Sequence, residues 1–211
     1  MDEIFQLYEK FKLSIKETQK AFASVPKTEY FYELCFCLLT PATKAEHALR
    51  AIEILKRKKF FELGFNPVNV LRGYETDGTP TIKFYIRFHN TKAKRLQSAR
   101  LHWKRIMEIL ESNISSSEKR KLLVENVDGF GYKEASHFLR NIGYKDFAIL
   151  DRHILKNLVH YGVIPEETKI SSPRKYLEIE SIFVDFANSI GIRPADLDLL
   201  FWAKETGYVL K

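Results

Sequence analysis

The stretch from Leu122 to Asp151, LLVENVDGFGYKEASHFLRNIGYKDFAILD, constrains this chain more than any other. Two helical patterns flank a turn, Val127-Asp128-Gly129-Phe130-Gly131, and the second helix is expected to begin at Tyr132. Glycines at 129 and 131 allow positive φ and let a bulky anion approach where a Cβ would block it. The amides that follow point along the helix axis, where free N–H groups and the helix dipole favour a phosphate. Lys133, in that first turn, is electrostatically out of place, because a helix N-terminus prefers negative charge. The same field, with partial burial, favours the neutral amine, and a neutral amine is a nucleophile. Further on, Ala148, Ile149 and Leu150 lead into Asp151, which stands where an N-cap is expected before Arg152-His153-Ile154-Leu155.

A glycine turn or an N-cap aspartate is ordinary when alone. The combination G-x-G-x-K with a later Asp resembles the helix-hairpin-helix DNA glycosylase superfamily, in its bifunctional glycosylase/lyase branch. That resemblance implies an all-α, two-lobed helical bundle with an active-site cleft between the lobes. The expected lobes are residues 26–144, holding the helix-hairpin-helix at about 118–142, and residues 1–25 with 145–211. Lys133 is then expected to face Asp151 across the cleft.

Composition agrees with a folded, anion-binding chain. Its 211 residues are 45% apolar and 13% aromatic, enough for a sizeable core, and the formal net charge is +7. The opening MDEIFQLYEKF is amphipathic and acidic rather than signal-like, and no apolar run reaches membrane-spanning length, so a cytoplasmic location without membrane contact is expected. Cys35 and Cys37, two apart on an expected helix, are poorly placed for a disulfide and suit a buried apolar role. The histidines show no ligand spacing for zinc, and no metal site is expected.

In chain order, Ile4, Phe5, Tyr8, Phe11 and Ile15 mark an amphipathic helix over 2–20, and YFYELCFCLL marks a core helix within 28–39. Thr43-x-x-Glu46 reads as a capping box opening a helix to about Lys58, and residues 68–74 as a short helix. Asp77-Gly78-Thr79-Pro80 is a turn, and TIKFYIRF after it reads as strand or helix with nothing to separate the two. From Lys83 to Arg105 there is no carboxylate among eight basic residues. Such a run is a solvated helix face or, with the interleaved Phe84, Tyr85, Phe88 and Trp103, a DNA-backbone face. Ser115 to Ser117 cap the first hairpin helix with Glu118 in its first turn. Residues 173–190 form a helix stopped at Gly191, and Pro194 starts the last one.

The ending, Trp202-Ala-Lys-Glu-Thr-Gly-Tyr-Val-Leu-Lys211, joined to FYELCFCLLTPATKA and GFGYKEASHFLRNIGY, resembles the second, archaeal-type family of 8-oxoguanine DNA glycosylase/AP lyases over nearly the whole chain. The resemblance implies Lys133 as nucleophile and Asp151 as its partner. It implies base recognition by Lys211 through a terminal carboxylate, with Trp202 and Phe88 on the two faces of an extruded base. A carboxylate suits that role because 8-oxoguanine presents an N7–H donor where guanine presents an acceptor. Gly129, Gly131 and His153 are implied as phosphate contacts.

The chain lacks the four-cysteine cluster that some relatives carry, so no iron–sulfur cluster is expected. No cofactor is required, though hairpin carbonyls are a place for a structural cation. One departure stands out: where relatives place an Asn or Gln to fill the gap left by the flipped base, Thr40-Pro41-Ala42-Thr43 offers Ala42. The partner implied is double-stranded DNA containing 8-oxoguanine, bound by a monomer. The expected chemistry is base flipping, attack of the Lys133 amine on C1′, and strand cleavage by β-elimination. The alternatives are a glycosylase for another oxidised base and a non-catalytic DNA-binding module.

Overall fold

The computed structural model of the chain describes residues 2–74 and 84–209. Among the described residues it is helical, with no strand. The helices are α1 (Asp2–Ala23), α2 (Tyr30–Leu39), α3 (Ala45–Arg57), α4 (Phe60–Leu63), α5 (Val68–Leu71) and α6 (His89–Leu101). They continue with α7 (Trp103–Glu111), α8 (Ser116–Asn126), α9 (Tyr132–Asn141), α10 (Arg152–His160), α11 (Pro173–Ser189) and α12 (Pro194–Thr206). The chain divides into two units, Pro26–Phe130 and the two terminal segments Met1–Val25 with Gly131–Lys211.

The second division falls inside the hairpin, between Phe130 and Gly131, so α9 belongs with the termini. The reason is visible in what α9 touches. Arg140 pairs with Asp198 of α12 and lies over the Phe22 ring of α1, and Tyr132 packs on Tyr176 of α11. Gly143, at φ +100°, brings the chain against α1, where an added Cβ would stand 3.1 Å from the Ala23 Cα.

The terminal unit is built around α12, which packs on α1, α10 and α11. Ile4, Phe11, Ile15 and Phe22 form the buried stripe of α1, and Leu197, Leu200, Phe201 and Ala203 answer from α12. Phe183 of α11 meets Phe201 edge-on, and both are fully buried. Burial of each such ring contributes about 1.5–3 kcal/mol. A clasp of polar groups closes α1 onto α12, with Asp196 accepting from Tyr8, Gln19 and Arg193.

The middle unit surrounds α2, in which every residue from Phe31 to Leu39 is buried, both cysteines among them as thiols. Phe31 touches the rings of Tyr32, Phe60, Phe61 and Trp103. Three expectations change here. Thr43 does not cap α3, whose N-cap is Lys44 without a side-chain bond. The Thr43 hydroxyl instead accepts from Lys92, whose buried ammonium also donates to the carbonyls of Leu39 (2.7 Å) and Pro41 (2.6 Å). Lys92 thus holds the loop after α2, in which Ala42 is exposed at φ +55°. The short helix ends at Leu71 rather than Tyr74. Of TIKFYIRF, residues 84–88 are neither helix nor strand and α6 starts at His89. Residues 81–83 and the turn at Asp77 to Pro80 lie outside the described residues.

The carboxylate-free run is therefore not one solvated face. Lys92 is buried and Arg100 donates to the carbonyls of Phe61 (2.6 Å) and Glu62 (3.1 Å). Lys94 and Arg87 remain exposed, Arg87 over the ring of Phe88.

Candidate active site

The hairpin begins with an ordinary helix stop and start. Ser115 and Glu118 cap α8 reciprocally, and α8 ends at Asn126 with Val127 as its C-cap, whose carbonyl accepts the Phe130 amide at 3.0 Å. Gly129 has φ +90°, as the turn requires, and the Arg95 side chain of α6 fills the space a Cβ there would need. The bare face of Gly129 thus admits a guanidinium of the same unit. Ser98, one turn on, donates to Asp128 at 2.5 Å.

Gly131 departs from expectation. Its φ is −106°, an extended N-cap conformation open to any residue, and its amide is already taken. Glu134 Oε2 accepts from it at 3.1 Å, half of a capping box in which the glycine has no side chain to give in return. The other oxygen of Glu134 pairs with Lys133 Nζ, also at 3.1 Å. The Lys133 side chain is one-third exposed, so the amine is reachable, but it must leave this carboxylate to act as a nucleophile.

Asp151 is the N-cap of α10, as its position demanded. Oδ1 accepts from the amides of His153 (2.8 Å) and Ile154 (3.0 Å), and Oδ2 has no partner among the described residues. No ion pair joins Lys133 and Asp151 in this state. Both nevertheless belong to the terminal unit, rather than one to each lobe.

The segment leading to Asp151 is buried and belongs to neither helix nor strand, so no ladder takes up its amides. Three side chains replace one. Glu180 accepts from the Ala148 amide (3.1 Å) and Asp198 from the Ile149 amide (2.9 Å). The Tyr176 hydroxyl accepts from the Leu150 amide (3.3 Å) and donates to the Ala148 carbonyl (2.7 Å). Burial pushes the Asp198 carboxyl up, the Arg140 charge and the Ile149 amide pull it back, and the neighbouring Asp151 charge adds to the rise.

His153 and Trp202 are brought together, ring centroids 5.2 Å apart and edge to face. Trp202 is only partly buried, unlike Phe201 and Ala203 beside it, and its buried indole N–H has no partner among the described residues. His153 stands 4.0 Å from Glu205, whose carboxyl is held low chiefly by a hydrogen bond from Lys156. Phe88 belongs to the middle unit, where the residue is 57% exposed and its backbone left-handed at φ +60°. A bulky residue at positive φ is an outlier, and Ala42 and Lys59 of the same unit share that backbone. Lys211 lies outside the described residues.

Sequence reading missed Glu134, Tyr176, Glu180 and Asp198. Glu134 was findable, since an acidic residue at the third helical position is the recurrent capping signal. Asp198 left a fainter trace, an acid between leucines in DLDLLFW.

Known proteins match this geometry and sequence together. The helix-hairpin-helix family model for 8-oxoguanine DNA glycosylase covers residues 11–192. The chain is 40% identical over 192 residues to the 8-oxoguanine DNA glycosylase/AP lyase of Methanocaldococcus jannaschii, spanning 91% of this chain and 87% of that protein. It is 36% identical to the Fusobacterium nucleatum protein of the same name, over 100% of this chain and 97% of the other. The M. jannaschii enzyme solved with a 15-mer DNA containing 8-oxoguanine superposes with a TM-score of 0.80 at 35% identity, covering 100% of both chains. The 8-oxoguanine DNA glycosylase of Thermotoga maritima gives 0.82 at 30% identity, over 100% of this chain and 97% of that one. With a glycine hairpin, a lysine in the helix that follows it and an aspartate capping the next, the chain belongs to the helix-hairpin-helix family of 8-oxoguanine DNA glycosylases.

Proposed function

We propose that the chain removes 8-oxoguanine from duplex DNA and cuts the strand at the resulting site, with Lys133 as nucleophile and Asp151 as its charge partner. The observation that carries this reading is the Oδ2 of Asp151, which has no partner among the described residues, in the same unit as a reachable Lys133 amine. Lys133 leaves Glu134, loses its proton and attacks C1′ of the extruded nucleotide. The C1′–N9 bond breaks, and the base departs with its electron pair and takes up a proton. Asp151, fixed through Oδ1, turns Oδ2 toward the positive charge that develops on the sugar. The sugar ring then opens to a Schiff base between C1′ and Nζ. Loss of a C2′ proton expels the 3′ phosphate, and water releases the enzyme.

These steps need an amine, a carboxylate and water, with no redox cofactor or metal, and one chain supplies all the reacting groups. Trp202 and Phe88 are the rings we assign to the extruded base, and His153, beside Trp202, to a phosphate. Among the described residues no helix is long and apolar enough to cross a membrane.

Borohydride trapping tests the reading on a duplex with one 8-oxoguanine opposite cytosine, with Lys133→Gln and an undamaged duplex alongside. An adduct with wild type alone, and on the lesion alone, is expected. An adduct on an oxidised-pyrimidine duplex instead would move the substrate. Tight binding without an adduct on any lesion would leave a binding module.

A further inference from the structure

We propose that Asp198 is the positioning residue that fixes Asp151 with respect to Lys133. This rests on the assignment of those two residues above. Asp198 touches neither the reacting groups nor any surface from which DNA approaches, since its side chain is 3% exposed. It has two partners on the two elements that matter. One oxygen accepts from Arg140 at 2.7 Å, and Arg140 lies in the last turn of α9, roughly two turns along the same rigid helix from Lys133. The other accepts the Ile149 amide at 2.9 Å, two residues before Asp151. Asp198 is therefore a single buried atom group through which the nucleophile's helix and the carboxylate's segment are held at one spacing.

The ion pair is well suited to this. The Arg140 guanidinium compensates the charge that a buried Asp198 carboxylate would otherwise carry alone. The arrangement is also one that an apolar residue cannot reproduce, because it would leave the Ile149 amide and the Arg140 guanidinium buried without acceptors. Tyr176 secures the same segment from α11, with Glu180 beside it, so the segment is held from two helices.

The test is single-turnover excision by Asp198→Asn, which keeps an oxygen for the Ile149 amide and gives up the charge facing Arg140. Tyr176→Phe is the second variant, milder and on the other helix. Three quantities are read: rate, amplitude, and the Kd for a duplex carrying a non-cleavable abasic analogue. The expected result is a rate at least tenfold lower for Asp198→Asn, and severalfold lower for Tyr176→Phe, with amplitude and Kd within twofold of wild type. A purely structural role would lower the amplitude with the folded fraction and leave the rate of the folded molecules intact, which would overturn the proposal. So would unchanged rates in a folded Asp198→Asn or, where that variant is not recovered folded, in Tyr176→Phe. A wild-type chain that neither excises nor traps on any lesion would remove the assignment of Lys133 and Asp151, and the proposal with it.

Discussion

The starts of α9 and α10 solve the same problem in opposite ways. Each helix must find acceptors for its first amides. At α9 the N-cap is Gly131, which has no side chain, so Glu134 reaches back to the Gly131 amide and in doing so engages Lys133. At α10 the cap is Asp151, which satisfies two amides with one oxygen and keeps the second unused. One helix start leaves an amine paired and in need of release. The other leaves a carboxylate oxygen ready. The lesson is that a cap's stoichiometry, more than its presence, decides whether a helix N-terminus offers a reactive group.

The sharpest way to break this comparison is at Asp151. Asn is as good a cap as Asp but carries no charge. Asp151→Asn is therefore expected to lower the excision rate by roughly 10²–10³-fold, the loss usual for a group that stabilises transition-state charge, with little change in Tm. Asp151→Ala is expected to match that rate loss and to cost about 1 kcal/mol of stability besides, read by denaturant unfolding. Equal stability of the two variants would show that the cap is dispensable.

At α9 the corresponding change is Glu134→Gln. It can still accept from the Gly131 amide but no longer holds the Lys133 amine as an ion. The pair is partly exposed and worth at most about 1 kcal/mol, so trapping is expected to quicken by up to about fivefold. Glu134→Ala, which also uncaps the helix, is expected to lose stability.

Arg95, seated on Gly129 without an ion-pair partner among the described residues, tests whether the hairpin's hold on DNA includes a side chain. Arg95→Gln is expected to make the slope of log Kobs against log salt shallower by about 0.9, one phosphate's worth.

The smallest effect is expected at Glu205, which ties Lys156 and Asn157 together beside His153. Its carboxyl is held below the ordinary value of 4.5, so the stability it adds is present above that pH and lost as pH falls through the lowered value. The Tm difference between wild type and Glu205→Gln is expected to vanish in strong acid.

What could be read from the sequence was what depends on neighbours a turn away. Ser115 with Glu118, Asp151 before its apolar helix, Pro194 at a helix start and the turn at Gly129 all lie where the sequence led us to expect. What could not be read depends on distant partners. Thr43 and Glu46 have capping spacing, yet the Thr43 hydroxyl is claimed by Lys92 from another helix. Lys92 counts as surface charge in a composition argument and is instead the buried pin of a loop. The two halves of the hairpin look like one unit in sequence, but Arg140, Tyr132 and Gly143 commit α9 to the termini through contacts with α12, α11 and α1. The Lys133–Asp151 pairing was likewise expected across a cleft, and a local pattern carries no information about which unit each helix joins.

The segment before Asp151 has a consequence for motion. Its amides are bonded to side chains of α11 and α12, so none of them can exchange its proton with solvent by the fraying that frees a strand at a sheet edge. Exchange at Ala148, Ile149 and Leu150 is expected to need the segment to come away from both helices, a larger opening than fraying. The hairpin amides of Phe130 and Gly131 are held by one turn bond and one side chain of their own helix, so smaller, local openings are expected to release them. Slower exchange is therefore expected at the segment that carries Asp151 than at the turn before Lys133, which would leave adaptation to the flipped nucleotide to the amine.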